Sequence, residues 1–481
     1  MKLITFLVTV LLSIVSISSF AQCLSPVNFV KPGEKAMPNP LFNHNMTARR
    51  DSTPSKPYLY VAAKAQGLQI YNISSLAAPV FASSVAVSAL NNLDVNNMTQ
   101  AGNYLYLALG SIFSSTAQSS GLAIVNVSNP NSPTVTSIYT FSAPSGAACV
   151  TVDGNYAFLA AMQNGVLVLD VTNKSAPVFV SQLVPNVNFP KVGPSASELD
   201  KINARSIVVK NNIIYLCYDA GGLRIINASN KSSLKETGRY SNPVMLTRPR
   251  AYNNLVLNDS LVYVACDYAG MEVLKIKDTA NISQVGWWNP WKAHLASNTW
   301  FNSPGHTNEI EFDANCKMVF MSAGRSDVMA VSVANPALPD SCSQYGNKTD
   351  TLGTWGLGKY QNQLYICYIS TWPLYIPFNS QWSGVKILTY NNACTSGIQE
   401  YSDEKTISVY PNPASGEVFV NSENEPGSIR IYDLTGRQII SSVILKGVNK
   451  LNTHVFSQGV YFYRINSGKG NLVKTGKLII E

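Results

Sequence analysis

Glu309 and Glu311, with His306 three residues ahead of the first, form the tightest grouping of acid–base side chains in this chain. Two carboxylates on one strand face are the raw material of a glycosidase or of a cation site. The His306-x-x-Glu309 spacing lacks the second histidine of a zincin helix. Alternation puts Ile310 and Phe312 on the other face, and the pair is read first as lying on the solvated side of a strand. There are only four histidines (His44, His294, His306 and His454), no Gly-x-Ser-x-Gly elbow and no phosphate loop. Metal-dependent hydrolysis therefore has little material, and no metal and no cofactor are expected.

Flat rings are the second chemical resource. All seven tryptophans lie between Trp287 and Trp382. Trp287, Trp288, Trp291 and Trp300 share the stretch Trp287 to Asn308 with His306, and Trp372 and Trp382 follow beside Tyr368, Tyr375 and Phe378. Such rings either stack on a sugar or peptide, or pack a long insertion onto its neighbour. A second insertion runs from Val184 to Asn203. Connections beyond about 12 residues in a compact fold are often binding elements.

These residues hang on a repeat. Segments beginning at Gly67, Gly121, Gly165, Gly222, Gly270, Asp327 and Gly384 read like Gly222-Leu223-Arg224-Ile225-Ile226-Asn227, at spacings of 54, 44, 57, 48, 57 and 57 residues. An apolar run centred on Tyr60, Tyr106, Phe158, Tyr215, Tyr263, Phe320 or Tyr365 precedes each one. The runs are short, rich in Val, Ile and Tyr, and bounded by Gly, Asn, Pro and Ser, which makes them strands. Apolar residues on consecutive positions imply strands covered on both faces. Several strands per period, repeated seven times, predict a seven-bladed β-propeller, in which closing the ring leaves no long exposed edge.

Aligning the repeats on their aromatic anchors sets one residue per blade at the start of the innermost strand: Arg50, Asn96, Ala148, Arg205, Asn253, Asn308 and Trp355, with His306 as the alternative to Asn308. Together with Trp291 they form the candidate ligand site, a polar channel mouth for an anion or glycan. Carboxylates clustered at that mouth would favour a carbohydrate-active hydrolase or lyase. Arg, Asn and Trp there favour a binding or adhesion module for a glycan or protein partner, which is the reading adopted.

The pattern Tyr-x-[Leu/Val/Cys]-Ala followed by Gly-[Leu/Val]-x-[Ile/Val] and [Asn/Asp]-[Val/Ile/Ala]-[Ser/Thr] resembles the LVIVD-repeat β-propellers over residues 56 to 392, with Val166 to Val171 as the nearest local match. The resemblance implies a secreted or surface propeller.

Composition sets the remaining bounds. Charged residues are 13% and the net charge is +8, with no basic run longer than Arg49-Arg50. That describes a mildly basic protein without a nucleic-acid footprint. Lys2, the apolar stretch Leu3 to Phe20 and Ser19-Phe20-Ala21 read as a signal peptide cleaved before Gln22, leaving no transmembrane span in the mature form. Export makes the eight cysteines candidates for disulfides. Cys217, Cys266 and Cys367 read as buried thiols, and Cys316–Cys342 and Cys23–Cys394 as the possible bridges.

After Cys394 the chain turns polar and then strand-like again. Tyr410-Pro411-Asn412-Pro413, Asp433-Leu434-Thr435-Gly436-Arg437, Gly459-Val460-Tyr461 and Lys477-Leu478-Ile479 follow in order. Alternation and turn residues predict a small antiparallel β-sandwich. The four motifs together resemble the type A C-terminal sorting domain of the type IX secretion system of Bacteroidetes-type bacteria. That resemblance implies passage across the outer membrane, the secretion machinery as partner, and Pro411, Asn412, Pro413, Gly436, Arg437, Gly459, Tyr461 and Lys477 as the sorting signal. The expected organisation is signal peptide 1–21, a lead-in 22–55 that covers the ring edge or supplies a closing strand, propeller 56–394, linker 395–405 and sorting domain 406–481, all-β throughout.

Overall fold

The computed structural model describes residues 27–36, 44, 46–112, 118–143, 146–190, 202–347, 352–370, 380, 382–391, 407–422, 427–454, 456–467 and 472–481. The signal peptide, the linker and residues Cys23, Cys394 and Trp372 fall outside them. The chain divides into two compact units, Met1–Asn391 and Asn392–Glu481.

The first unit is built from seven four-stranded antiparallel sheets. Blade 4 is representative, running from the inner strand Ser206–Lys210 through Ile213–Cys217 and Leu223–Asn227 to the outer strand Lys235–Tyr240. The inner strands are Thr47–Arg50, Val95–Ala101, Cys149–Asp153, Ser206–Lys210, Asn254–Asn258, Ile310–Asp313 and Thr354–Tyr360. Each touches the next and the last touches the first, so the ring is closed. Every Gly-start segment is a third strand sandwiched between neighbouring blades. Leu223, Ile225 and Ile226 are fully buried there, and sheet-on-sheet cover explains the consecutive apolar positions. Each such side chain contributes roughly 1.5–3 kcal/mol.

The segment assigned to a lead-in is part of the ring. Thr47–Arg50 is the inner strand of blade 1. Phe29–Ala36 is the outer strand of blade 7, antiparallel to Gly384–Tyr390. The propeller therefore starts before residue 56.

Blade 6 departs from the glycine rule by exchange. Gly222 sits at φ +81, where a Cβ would lie 2.0 Å from the Tyr240 carbonyl oxygen. Asp327 takes the equivalent place at φ +58, and the residue facing it is Gly346, whose own Cβ would lie 2.1 Å from the Asp327 carboxylate. The bulk has moved from one side of the contact to the other.

A second rule joins the blades. In blades 1 to 6 a small residue falls sixteen positions after the motif start, at 83, 137, 181, 238, 286 and 343, opposite the middle of the third strand. Ser83, Ser137 and Ser181 donate to the carbonyls of Pro130, Lys174 and Lys231 in the next blade's outer connection, at 2.5, 2.6 and 2.5 Å. Gly238 and Gly286 instead let that connection rest on bare backbone, where a Cβ would come within 2.0 Å of the Thr279 oxygen and 2.2 Å of the Pro336 oxygen. Gly33 on the closing strand holds the same position against Leu76, at 2.1 Å. Gly238→Val should therefore wedge blades 4 and 5 apart and cost about 1–3 kcal/mol in denaturant unfolding. Wild-type stability would refute the latch.

The second unit is a sandwich. One sheet orders Ile407–Tyr410, Glu417–Ser422 and Gly447–Asn452. The other orders Gln438–Ile444, Gly427–Tyr432, Gly459–Ser467 and Leu472–Ile480. Val418, Val420, Ile429, Ile431, Ile465 and Leu478 are buried between them. Among the described residues no helix is long and apolar enough to cross a membrane.

Candidate functional site

The channel mouth is set by one residue at the start of each inner strand, and in five blades its N–H donates to the end of the neighbouring strand. Met46 donates to Ala62, Ala148 to Ala160, Arg205 to Cys217, Asn253 to Ala265 and Asn308 to Ser322, at 2.8, 2.8, 2.9, 2.9 and 3.0 Å. Asn96 and Trp355 sit at the equivalent register slips of blades 2 and 7. Arg50 is misplaced. It lies at the far end of its strand opposite Leu59, donates to the Asp51 and Pro54 carbonyls and stacks 4.0 Å from the Tyr360 ring. The first hairpin explains the slip: residues 51–57 connect its strands, where blades 2 and 4 use two-residue turns, so a fixed distance back from Tyr60 lands beyond the mouth. Met46 is the blade 1 member.

The mouth amides brace the ring. Asn96 Nδ2 donates to the Gly110 and Ala147 carbonyls at 2.5 and 2.9 Å, the latter in blade 3. Asn253 donates to the Thr307 carbonyl of blade 6 at 2.8 Å, and Asn308 to that of His306 at 3.2 Å. All three are buried. Arg205 pairs with Asp219 at 3.7 Å, and its guanidinium lies 5.9 Å from the Trp355 ring. Blades 4 and 7 are not neighbours, so this contact spans the mouth.

The tryptophan insertion packs inward. His306 is fully buried, with Nδ1 2.5 Å from Asp267 Oδ1, and Trp300 Nε1 donates to the other oxygen of that carboxylate at 2.9 Å. Trp291 occupies the space a side chain at Gly305 would need and meets the Trp288 ring edge-on at 5.4 Å. Trp287 and Trp288 donate to Ala269 and Ser341, both at 2.8 Å. The other insertion is held at Phe189, whose carbonyl accepts from the fully buried Arg224 at 2.6 Å.

One residue deeper lies a belt that sequence reasoning missed. Glu309 is buried, not on a solvated strand face. Its Oε2 accepts from the Thr47 hydroxyl at 2.9 Å and the Leu357 amide at 2.7 Å, and its Oε1 from Asn97 at 3.4 Å. Cys149 Sγ stands 3.6 Å from Asn97 Oδ1, and the Ser206 hydroxyl 3.9 Å from that sulfur. Blades 1, 2, 3, 4, 6 and 7 are thus linked across the axis. Burial pushes the Glu309 carboxyl up, while Arg49, the Leu357 amide and the Thr47 hydroxyl pull it down. Below it Arg49 pairs with Glu311 at 3.5 Å; their side chains keep 31% and 25% exposure although protein surrounds them. Burial raises Glu311 to about 7, Arg49 opposes that, Glu309 adds to it and Lys359 opposes it. The signal in the sequence was a polar residue directly after the mouth position in several repeats: Asn97, Cys149, Ser206, Glu309. Among the described residues no group of three or more His, Cys, Asp and Glu is placed to hold a metal ion.

Family models match residues 55–87, 94–140, 145–183 and 203–242 as LVIVD repeats, and residues 408–481 as a secretion system C-terminal sorting domain. The chain carries LVIVD repeats and a sorting tail. The matched repeats are blades 1 to 4; blade 6, with Asp327 in the glycine place, lies outside them. No curated protein matches the chain. Similar solved structures include "Structure of U3-55K", at 11% identity and TM-score 0.49 over 76% of this chain and 98% of that one. "Crystal Structure of Mitotic Checkpoint Complex" aligns at 9% identity and TM-score 0.47 over 81% and 98%. The computationally designed Ika8 protein aligns at 9% identity and TM-score 0.43 over 93% and 100%.

The sorting tail implies the type IX secretion machinery as a partner and export to the cell surface or medium. Its first and last motifs meet. Asn412 Nδ2 donates to the Lys477 carbonyl at 2.6 Å, its Oδ1 accepts from the Ile479 amide at 2.8 Å, and Ala414 pairs in parallel with Ile480. Pro411 and Pro413 flank that clamp. Asp433 accepts from the Thr435 and Arg437 amides around Gly436 at φ +83, and from Arg437 Nε at 3.0 Å. Tyr461, two residues past Gly459, is buried and donates to the Ser457 carbonyl at 2.9 Å.

Proposed function

We propose that the LVIVD propeller is a non-catalytic binding or adhesion module for a glycan or protein partner, carried outside the cell by its sorting tail. The observation that supports this most is the commitment of the axial carboxylates. Glu309 is engaged by three strands and Glu311 by Arg49, so neither is available as the acid or nucleophile of a glycosidase. The connections from outer to inner strand, on the mouth side, instead offer apolar side chains to solvent. Phe301 is 52% exposed, and Val187, Val244 and Leu295 are exposed on consecutive blades. Pro411, Asn412, Pro413, Gly436, Arg437, Gly459, Tyr461 and Lys477 then act as the signal read during export.

A glycan and peptide array probed with the full chain tests this. Phe301→Ala and Arg205→Ala should each weaken a positive signal at least tenfold. Hydrolysis across a polysaccharide panel, with no retained ligand, would sink it.

A further inference from the structure

The seam between blades 6 and 7 lacks the latch that joins the other blades. Ser343 occupies the latch position, but its hydroxyl donates to its own neighbour, the Cys342 carbonyl, at 2.6 Å. Blade 7 takes its outer strand from the N-terminal segment, so no connection of its own runs from third to outer strand there. The two ends of the ring run along the seam instead. The Asn28 amide donates to Asn391 Oδ1 at 2.9 Å, and Phe29 meets the Phe320 and Tyr345 rings at 6.2 and 6.3 Å. Val27 is buried in a cluster of blade 6 and blade 7 residues against which Cys316 and Cys342 also pack.

Cys316 and Cys342 are both disulfide-bonded, whereas Cys149, Cys217, Cys266 and Cys367 are free thiols. The register forbids a bond between Cys316 and Cys342. Met318 pairs with Ser332 and Ser332 with Asp340, so the strands carrying Met318 and Cys342 are two apart. That is about 10 Å sideways, before counting the turn that carries Cys316 further away. A disulfide requires Cα atoms within roughly 7 Å. Of the eight cysteines only Cys23 and Cys394 remain. Each is four residues from a seam residue, Val27 or Tyr390, and four residues reach up to about 13 Å.

We propose that Cys316 and Cys342 are bonded one each to Cys23 and Cys394, so that two disulfides clasp both ends of the ring to blade 6 in place of the missing latch. Each bond forms by thiol–disulfide exchange. Two cysteine thiols give up two protons and two electrons, and an oxidised dithiol carrier of the exported compartment takes them up as its own disulfide is reduced. The clasp is therefore absent in a reducing cytoplasm and made after export.

Peptide mapping of the unreduced, full-length chain decides the pairing. Cys316 and Cys342 should each appear joined to a peptide carrying Cys23 or Cys394, in either combination, with the other four cysteines alkylated only after denaturation. A Cys316–Cys342 or Cys23–Cys394 peptide, or an unbonded Cys23 or Cys394, overturns the proposal. Hydrogen exchange tests the clasp itself. Reduction should speed exchange in Phe29–Ala36 and Asp340–Tyr345 at least tenfold while leaving Val178–Leu183 unchanged. Equal rates in reduced and oxidised protein would refute it.

Discussion

Glu272→Gln should stabilise the propeller by about 3 kcal/mol at pH 8 and change little at pH 4. Glu272 is 1% exposed between blades 4 and 5. It accepts from Asn242 Nδ2 at 3.0 Å and from the Tyr252 hydroxyl at 3.1 Å, and the described ion pairs give it no cation. Burial pushes its carboxyl up to about 7, and the hydrogen bonds from Asn242 and Tyr252 only partly oppose this. The folded pKa is raised, so the folded state holds the proton more tightly than the unfolded state does. The stability this gives is complete below about pH 4. It is lost as pH rises from the unfolded value near 4.5 to the folded value near 7. A difference of that size corresponds to about 3 kcal/mol, at roughly 1.4 kcal/mol per pH unit. Glutamine keeps an acceptor for Asn242 and never ionises, so its unfolding free energy should lack that slope. Urea titrations at the two pH values measure it, and parallel curves for the two proteins would show that the carboxyl titrates elsewhere.

Arg224→Ala should cost about 3–5 kcal/mol, the size expected when one member of a buried ion pair is removed. Arg224 is fully buried, 2.8 Å from Glu236, and donates to the Gly221 and Phe189 carbonyls at 2.9 and 2.6 Å. Its guanidinium lies 5.1 Å from both the Phe189 and Tyr218 rings. Alanine leaves Glu236 beside a cavity and frees Phe189, so the connection from Val184 onward should become the first site of limited proteolysis. Lysine restores charge but not the planar fork, and should recover less than half the loss. If alanine unfolded at the wild-type denaturant concentration, the pair would be a surface bridge in energetic terms.

Third strands and their aromatic partners were legible because neighbouring blades cover both faces and leave unbroken apolar runs such as Val166 to Leu169. Where the closing strand lies within residues 22–55 was not. Phe29–Ala36 is half exposed and reads Phe-Val-Lys-Pro-Gly-Glu-Lys-Ala, with neither alternation nor an apolar run to mark it. Asn96, Ala148, Arg205, Asn253 and Trp355 fall at one structural position because a ten-residue offset from the anchors tracks a two-residue hairpin turn, and Asn308 joins them at an offset of twelve because its hairpin turn spans residues 314–317. Arg50 was wrong where the hairpin lengthens. Glu309 was misread for a different reason: alternation with Ile310 and Phe312 distinguishes two faces, but it cannot tell open water from the axis of a ring. Trp291 and His306 were placed in the right insertion; the sequence could not reveal that Gly305 and Asp267 already receive them.

Phe29–Ala36 finds its mate only in Gly384–Tyr390, about 350 residues later. At a synthesis rate of roughly 5–20 residues per second, that is an interval of tens of seconds. Throughout it that strand lacks the partner it has in the ring, and the growing sheets present an edge at each end. Nothing short of the full seven sheets ends this exposure, so a chain truncated inside blade 7 is left as an arc with two adhesive rims, prone to pair with other chains rather than with itself.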